Sequence, residues 1–156
     1  MWLYDMAPED IEIVVHRESI VHSAVEFDDG AMIAQLGLPD MRLPIQYALT
    51  YPARVPCKVP RLNLAEAAKL TFYAPDYEAF PALNLARQAA AQKGDRGAML
   101  NGANEAAVGL FLDGKIAFGE IAERVARALD TIPYRREVTL DDVLAADAAA
   151  RAAARA

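Results

Sequence analysis

Strand-forming sequence is confined to residues 11–37 of this 156-residue chain, which limits the possible folds more than any other feature. Ile11–His16 is rich in β-branched residues, and Ile20–Phe27 alternates between two faces. Ala31–Gly37 follows a turn at Asp28–Gly30 that is typical of a hairpin. Two or three antiparallel strands are therefore expected, and their apolar face needs a covering layer.

A short helix at about Pro44–Tyr51 is the only early candidate for that layer, so we expect an incomplete sheet. Residues 52–75 follow with four prolines, which keep a segment extended and stiff. This segment is interpreted as a linker.

The second half of the chain has the apolar spacing of helices. The spacing predicts helices over residues 81–93, 97–113 and 119–130, and a fourth that begins at Thr139 with Asp142 completing a capping box. The expected buried stripes are Met99, Ala103, Ala106 and Leu110, and then Ile121, Val125 and Leu129. After Leu144 the tail is almost all alanine, so we expect it to bury little and its last turns to fray.

The expected fold class is therefore α+β: a small antiparallel sheet remnant with a short helix, followed by a four-helix, bundle-like domain. The predicted division is residues 1–51 for the sheet part, 52–75 for the proline-rich linker and 76–156 for the helical domain.

Composition argues against two classes of partner. The net charge of −6 disfavours nucleic acid, whose phosphates need clustered Lys and Arg. No apolar run approaches the ~20 residues that span a bilayer. The N-terminus lacks the pattern of a secretory signal, and the single cysteine, Cys57, fits a reducing cytoplasm.

Few residues suggest chemistry by themselves. His16 and His22 are the only histidines, and a zinc site would need further ligands, so we expect them to be partly buried or hydrogen-bonded. Glu18, Ser19 and His22 (with Ser23) suggest a Ser–His–acid triad, but the G-x-S-x-G elbow is absent. A polar pocket lining is the favoured interpretation.

A polar stripe on the second predicted helix carries Asn101, Asn104 and Glu105. These side chains either hydrogen-bond a neighbouring element or form a substrate site, and the residues alone favour the first. Neither a G-x-G-x-x-G nor a P-loop motif occurs in the chain.

Three segments in one order, Val14–Pro52, Leu70–Ala86 and Leu100–Ile121, resemble the C-terminal portion of 1-deoxy-D-xylulose 5-phosphate reductoisomerase. The likeness runs from about Trp2 to Asp130, and Trp2 resembles a structural aromatic of the family. The resemblance implies a homodimeric, cytoplasmic or plastid enzyme of the non-mevalonate isoprenoid pathway. Such an enzyme isomerises its phosphosugar substrate with Mg or Mn and reduces it with NADPH to 2-C-methyl-D-erythritol 4-phosphate.

The resemblance also assigns site residues. Ser19 and His22 match a serine and a histidine near the family's substrate, and Pro39 and Met41 match residues that pack near the substrate and the nicotinamide. Arg17-Glu18 stands where the family usually has Pro-Gln. Residues 1–51 then correspond to the end of the catalytic domain.

The family's cofactor fingerprint and acidic metal ligands are not found in this sequence. We therefore expect no catalytic, cofactor-binding or metal-ligating residue here, and neither NADPH nor Mg/Mn to bind this chain alone. The leading interpretation is a C-terminal fragment that is inactive by itself and dimerises through its strands. The alternatives are a non-catalytic dimerisation or interaction module, and the second half of a split enzyme.

Overall fold

A computed structural model describes residues 4–156, so Trp2 lies outside the described residues. The described residues form a two-stranded antiparallel sheet, six α-helices and a 3-10 helix at Pro8–Asp10, which confirms the α+β class. They divide into two compact units. The hairpin unit is Ile13–Pro75, and the helical unit is Asp76–Ala156 with the chain up to Glu12. Across residues 4–156, none of the helices combines the length and the apolarity that crossing a membrane needs.

The hairpin unit is built on two paired strands. Its elements are β1 (Val21–Glu26), β2 (Met32–Leu36), α1 (Arg42–Thr50) and α2 (Leu64–Ala67). Val25 pairs with Ile33, and a register irregularity lies between Val21 and Ser23. The segment Ile11–His16 adds only an isolated bridge, between Val15 and Tyr73.

The hairpin leaves large apolar side chains in solvent, in agreement with the expected lack of a covering layer. Val25 is 49% exposed, Met32 64% and Ile33 66%. Residues 52–75, expected as a linker, fall within the hairpin unit, whose last residue is Pro75. The division at residues 51 and 75 stays a prediction.

The helical unit confirms the four helices predicted in the second half. They are α3 (Ala82–Gln92), α4 (Arg96–Leu112), α5 (Glu120–Thr131) and α6 (Leu140–Arg155). The predicted stripes supply much of the core: Met99 and Ala103 of α4 are fully buried, and Val125 and Leu129 of α5 are nearly so. The capping box of Thr139 with Asp142 is present at the start of α6.

The expectation for the alanine tail is wrong. The α6 helix continues to Arg155, and Ala150 and Ala154 are fully buried in the core of the helical unit. Alanine side chains let α6 lie close against α4, so many short contacts replace a few large ones. The Arg124 guanidinium of α5 also donates to the Ala154 carbonyl oxygen at 2.8 Å, which holds the last turn.

Candidate functional site

The four residues assigned by the resemblance all belong to the hairpin unit. Ser19 precedes β1, His22 is the second residue of β1, and Pro39 and Met41 lie between β2 and α1. Val21, at the start of β1, pairs with Leu36, at the end of β2. The four residues therefore share the end of the hairpin that lies opposite its Asp28–Gly30 turn.

His22 is tied to the chain that leads into the Pro39–Met41 turn. Its Nε2 lies 3.2 Å from the Gly37 carbonyl oxygen, to which it donates. The Gly37 N–H donates to the Ile20 carbonyl oxygen at 3.0 Å, so the same residue is held from both sides. In a neutral imidazole this arrangement leaves Nδ1 as an acceptor.

The turn itself is held by Asp40. The Asp40 Oδ1 atom accepts from the Arg42 backbone N–H at 2.9 Å and from Arg42 Nε at 3.0 Å. The bonds from Arg42 lower the pKa of Asp40 to about 2. Pro39 is exposed and Met41 is 70% exposed, so this fixed turn presents an apolar surface to its surroundings.

Ser19 has an uncommon backbone. Its φ is 50°, in the left-handed region that residues with a Cβ rarely adopt. Its N–H donates to the His16 carbonyl oxygen at 3.2 Å, and the residue is exposed. The serine hydroxyl is therefore carried on a tight turn at the surface of the hairpin unit.

A polar cluster holds that turn from the other side. Glu18 Oε1 accepts from the Thr71 hydroxyl at 2.6 Å, and Glu18 Oε2 accepts from the Thr71 N–H at 3.2 Å. These bonds hold the pKa of the Glu18 carboxyl below its usual range. His16 Nδ1 lies 2.8 Å from the Thr71 carbonyl oxygen and 3.0 Å from Glu18 Oε2. We call Glu18, His16 and Thr71 the Thr71 clasp.

Sequence reasoning does not identify Thr71. It lies 53 positions from Glu18, and a threonine in a proline-rich segment carries no local signal of such a contact.

In the polar stripe of α4, Glu105 bonds to a neighbouring helix, which is the interpretation that the residues favoured for it. Glu105 accepts from Asn101 Nδ2 at 3.2 Å and from the Arg151 guanidinium of α6 at 2.7 Å. The bonds from Arg151 and Asn101 hold the pKa of Glu105 below its usual range. A cavity of about 220 Å³ lies beside Asn101 and Asn104 and is otherwise lined by Leu100, Val125 and alanines.

Within residues 4–156, no three His, Cys, Asp or Glu side chains converge closely enough to hold a metal ion. His16 and His22 instead bond to backbone carbonyl oxygens, as expected for hydrogen-bonding histidines. The described residues therefore do not fit a metal centre of their own.

The sequence matches a known family of enzymes. A family model described as the DXP reductoisomerase C-terminal domain matches residues 36–153. The 1-deoxy-D-xylulose 5-phosphate reductoisomerase of Pseudomonas syringae pv. tomato is 51% identical over 150 residues, covering 96% of this chain and 38% of that protein. The enzyme of Paraburkholderia xenovorans is 50% identical over 153 residues, 98% of this chain and 38% of that protein. The chain thus spans about 38% of the length of these curated relatives.

Solved structures resemble the chain over nearly its whole length. A 1-deoxy-D-xylulose 5-phosphate reductoisomerase from Zymomonas mobilis in complex with NADPH has a TM-score of 0.92 and 43% identity over 98% of this chain and 40% of that chain. A DOX-P reductoisomerase in complex with NADPH, fosmidomycin and magnesium has a TM-score of 0.87 and 38% identity over 97% of this chain and 40% of that chain.

Proposed function

The chain belongs to the DXP reductoisomerase family, and from that premise we propose that it forms one wall of the substrate site of a 1-deoxy-D-xylulose 5-phosphate reductoisomerase. The observation that carries this proposal is the turn that follows β2. Hydrogen bonds between Asp40 and Arg42 hold this turn. It exposes Pro39 and Met41, and it follows Gly37, whose carbonyl oxygen accepts from His22. A fixed apolar turn beside an imidazole suits a pocket wall, because the turn is already ordered in the free protein and little ordering cost remains when a ligand binds.

Each candidate residue then has a role. The Ser19 hydroxyl donates to an oxygen of the phosphosugar or accepts from one of its hydroxyl groups. His22 uses Nε2 on Gly37, so its Nδ1 accepts from a substrate hydroxyl. Pro39 and Met41 pack against the substrate on its nicotinamide side and exclude water there.

The activity of the whole enzyme is the NADPH- and Mg- or Mn-dependent conversion of 1-deoxy-D-xylulose 5-phosphate to 2-C-methyl-D-erythritol 4-phosphate. The metal would polarise substrate oxygens, and NADPH would supply the hydride. The resemblance implies that this chain contributes substrate contacts, and that metal binding and hydride transfer depend on other parts of the enzyme. The chain alone should be inactive, and we assign it to the cytoplasm.

A chimera tests this function. This chain replaces the matched part of the Pseudomonas syringae pv. tomato enzyme, and NADPH oxidation is followed with 1-deoxy-D-xylulose 5-phosphate and Mg. We expect turnover by the chimera and none by the chain alone. His22→Ala in the chimera should lower kcat/KM about tenfold, since a lost substrate hydrogen bond of about 1.4 kcal/mol corresponds to that factor.

Glu26→Ala is the matched control, because Glu26 is exposed and lies on the same strand as His22. It should leave kcat/KM unchanged. Turnover by the chain alone, or equal kcat/KM for the two variants, would contradict the proposal. Activity on mixing the chain with the unfused remainder of the relative would show that the halves assemble as a split enzyme does.

A second function, dimerisation through the strands, is favoured by the apolar hairpin surface. Phe27, Met32 and Ile33 are each about half exposed or more. Exposed apolar strands promote pairing between chains. Light scattering after size-exclusion chromatography should give a dimer mass, and Ile33→Lys should convert it to monomer while Glu26→Lys does not. A monomer at all concentrations would exclude this function for the chain alone.

A further inference from the structure

We propose that Glu18 is a positioning residue, which holds Ser19 in its substrate-facing conformation through the Thr71 clasp. This inference rests on the proposed function of the hairpin unit, because it gives Ser19 a substrate to contact. Glu18 itself touches Thr71 and His16, so it acts through its neighbour in sequence.

The conformation of Ser19 needs such support. A serine at φ 50° has its Cβ crowded against the following peptide, and the extended region would be favoured in a free chain. The Glu18 carboxylate receives two hydrogen bonds from Thr71, one from the hydroxyl and one from the N–H. Thr71 is followed by Phe72 and then Tyr73, and the Tyr73 backbone exchanges two hydrogen bonds with Val15. The Glu18–Thr71 bonds and the Val15–Tyr73 bonds therefore hold the chain on both sides of the turn that the Ser19–His16 bond closes.

His16 provides a second observation on the clasp, because its ring orientation is set by Glu18 and Thr71. Its side chain is only 6% exposed, and its ring stacks on Phe72 at 4.6 Å between centroids. Nδ1 faces two acceptors, Thr71 O and Glu18 Oε2, whereas Nε2 is buried with no hydrogen-bond partner among the described residues. A buried unpaired nitrogen is unfavourable and calls for an explanation. The explanation is that the ring is oriented to place Nδ1 against Glu18 and Thr71, and this orientation leaves Nε2 without a partner.

The clasp also leads directly to the other site residues. Ile20, next to Ser19, is buried, and its carbonyl oxygen accepts from Gly37 N–H. Gly37 in turn accepts from His22 and precedes Pro39 by two positions. A shift at Ser19 would therefore move Ile20 and, through the bond of Ile20 to Gly37, the backbone that leads into the Pro39–Met41 turn. Strained conformations of this kind cluster at functional sites.

The first test uses NMR on the whole isotope-labelled chain. A positive φ brings the amide and α protons of one residue together, so Ser19 should give a strong intraresidue NOE. Glu18→Ala should abolish it, whereas Glu18→Gln should retain most of it, because the amide oxygen still accepts from the Thr71 hydroxyl while the Thr71 N–H loses its acceptor. Glu26→Ala is the matched control. If Glu18→Ala unfolds the hairpin unit, Thr71→Val removes only the hydroxyl and should weaken the NOE. An unchanged NOE in both Glu18→Ala and Thr71→Val would overturn the proposal.

The second test uses the chimera and separates this inference from the proposed function. Glu18→Ala should raise the KM for 1-deoxy-D-xylulose 5-phosphate about tenfold, with a smaller change in kcat, and Glu18→Gln should recover most of this loss. Wild-type KM in an active Glu18→Ala chimera would refute positioning. An inactive wild-type chimera would refute the proposed function alone, and the NMR result would still decide whether Glu18 holds Ser19.

Discussion

Gly94→Ala should lower the free energy of unfolding of the helical unit by about 3 kcal/mol or more. Gly94 follows α3 with φ +59°, and an added Cβ would overlap the Arg135 carbonyl oxygen and stand 2.8 Å from the Arg136 Cα atom. Both are backbone atoms, so no side-chain rotation relieves the overlap. The substitution therefore forces the two chain segments apart.

The damage extends to Asp95, which is 2% exposed. Its N–H donates to the Arg135 carbonyl oxygen at 3.1 Å, and its Oδ1 accepts from the Arg135 N–H at 3.0 Å. Separation of the segments breaks this pair of bonds and leaves a buried carboxylate without its donor, which is costly. Urea unfolding followed by helical circular dichroism measures the loss.

Gly114→Ala is the matched control for Gly94→Ala. Gly114 has φ +71°, but no atom lies within 4 Å of an added Cβ. It should cost only the left-handed conformation of alanine, about 1 kcal/mol. Equal losses for the two variants would mean that steric overlap with Arg135 contributes nothing.

The helices were predictable because their signals are local. Met99 and Ala103 share a face by spacing, and Thr139 with Asp142 forms a capping box within one turn. The burial of Ala150 and Ala154 was not predictable in this way. An alanine face has almost no hydrophobic contrast, and its burial depends on whether the partner helix lets it approach.

The site residues show the same limit. Ser19 and His22 lie in one unit, but the bond between His22 and Gly37 depends on strand register, which is irregular between Val21 and Ser23. The bond from Glu18 to Thr71 joins positions that no periodicity relates. Long-range polar contacts of this kind follow from the folded chain path and carry no sequence pattern.

Gly102→Leu tests the close approach that buries the alanine tail, and it should destabilise the helical unit by about 3 kcal/mol. A Cβ on Gly102 would stand 2.9 Å from the Asp147 carbonyl oxygen and 2.5 Å from its Oδ1. The carboxylate can rotate, but the backbone oxygen can withdraw only if α6 moves away from α4. Leucine adds further atoms along the same direction, so Ala146 and Ala150 would lose their contacts.

Gly109→Leu is the matched control on the same helix, since no atom lies within 4 Å of its added Cβ. Leucine is a better helix former than glycine, so this variant should gain up to about 1 kcal/mol. The two substitutions thus have opposite expected signs. Hydrogen exchange at the Ala150 and Ala154 amides adds a local measurement, which should quicken in Gly102→Leu alone. Stabilisation by both variants would mean that α6 is held by its ends, at Arg124 and at the Thr139 capping box, and not by close packing of small residues against α4.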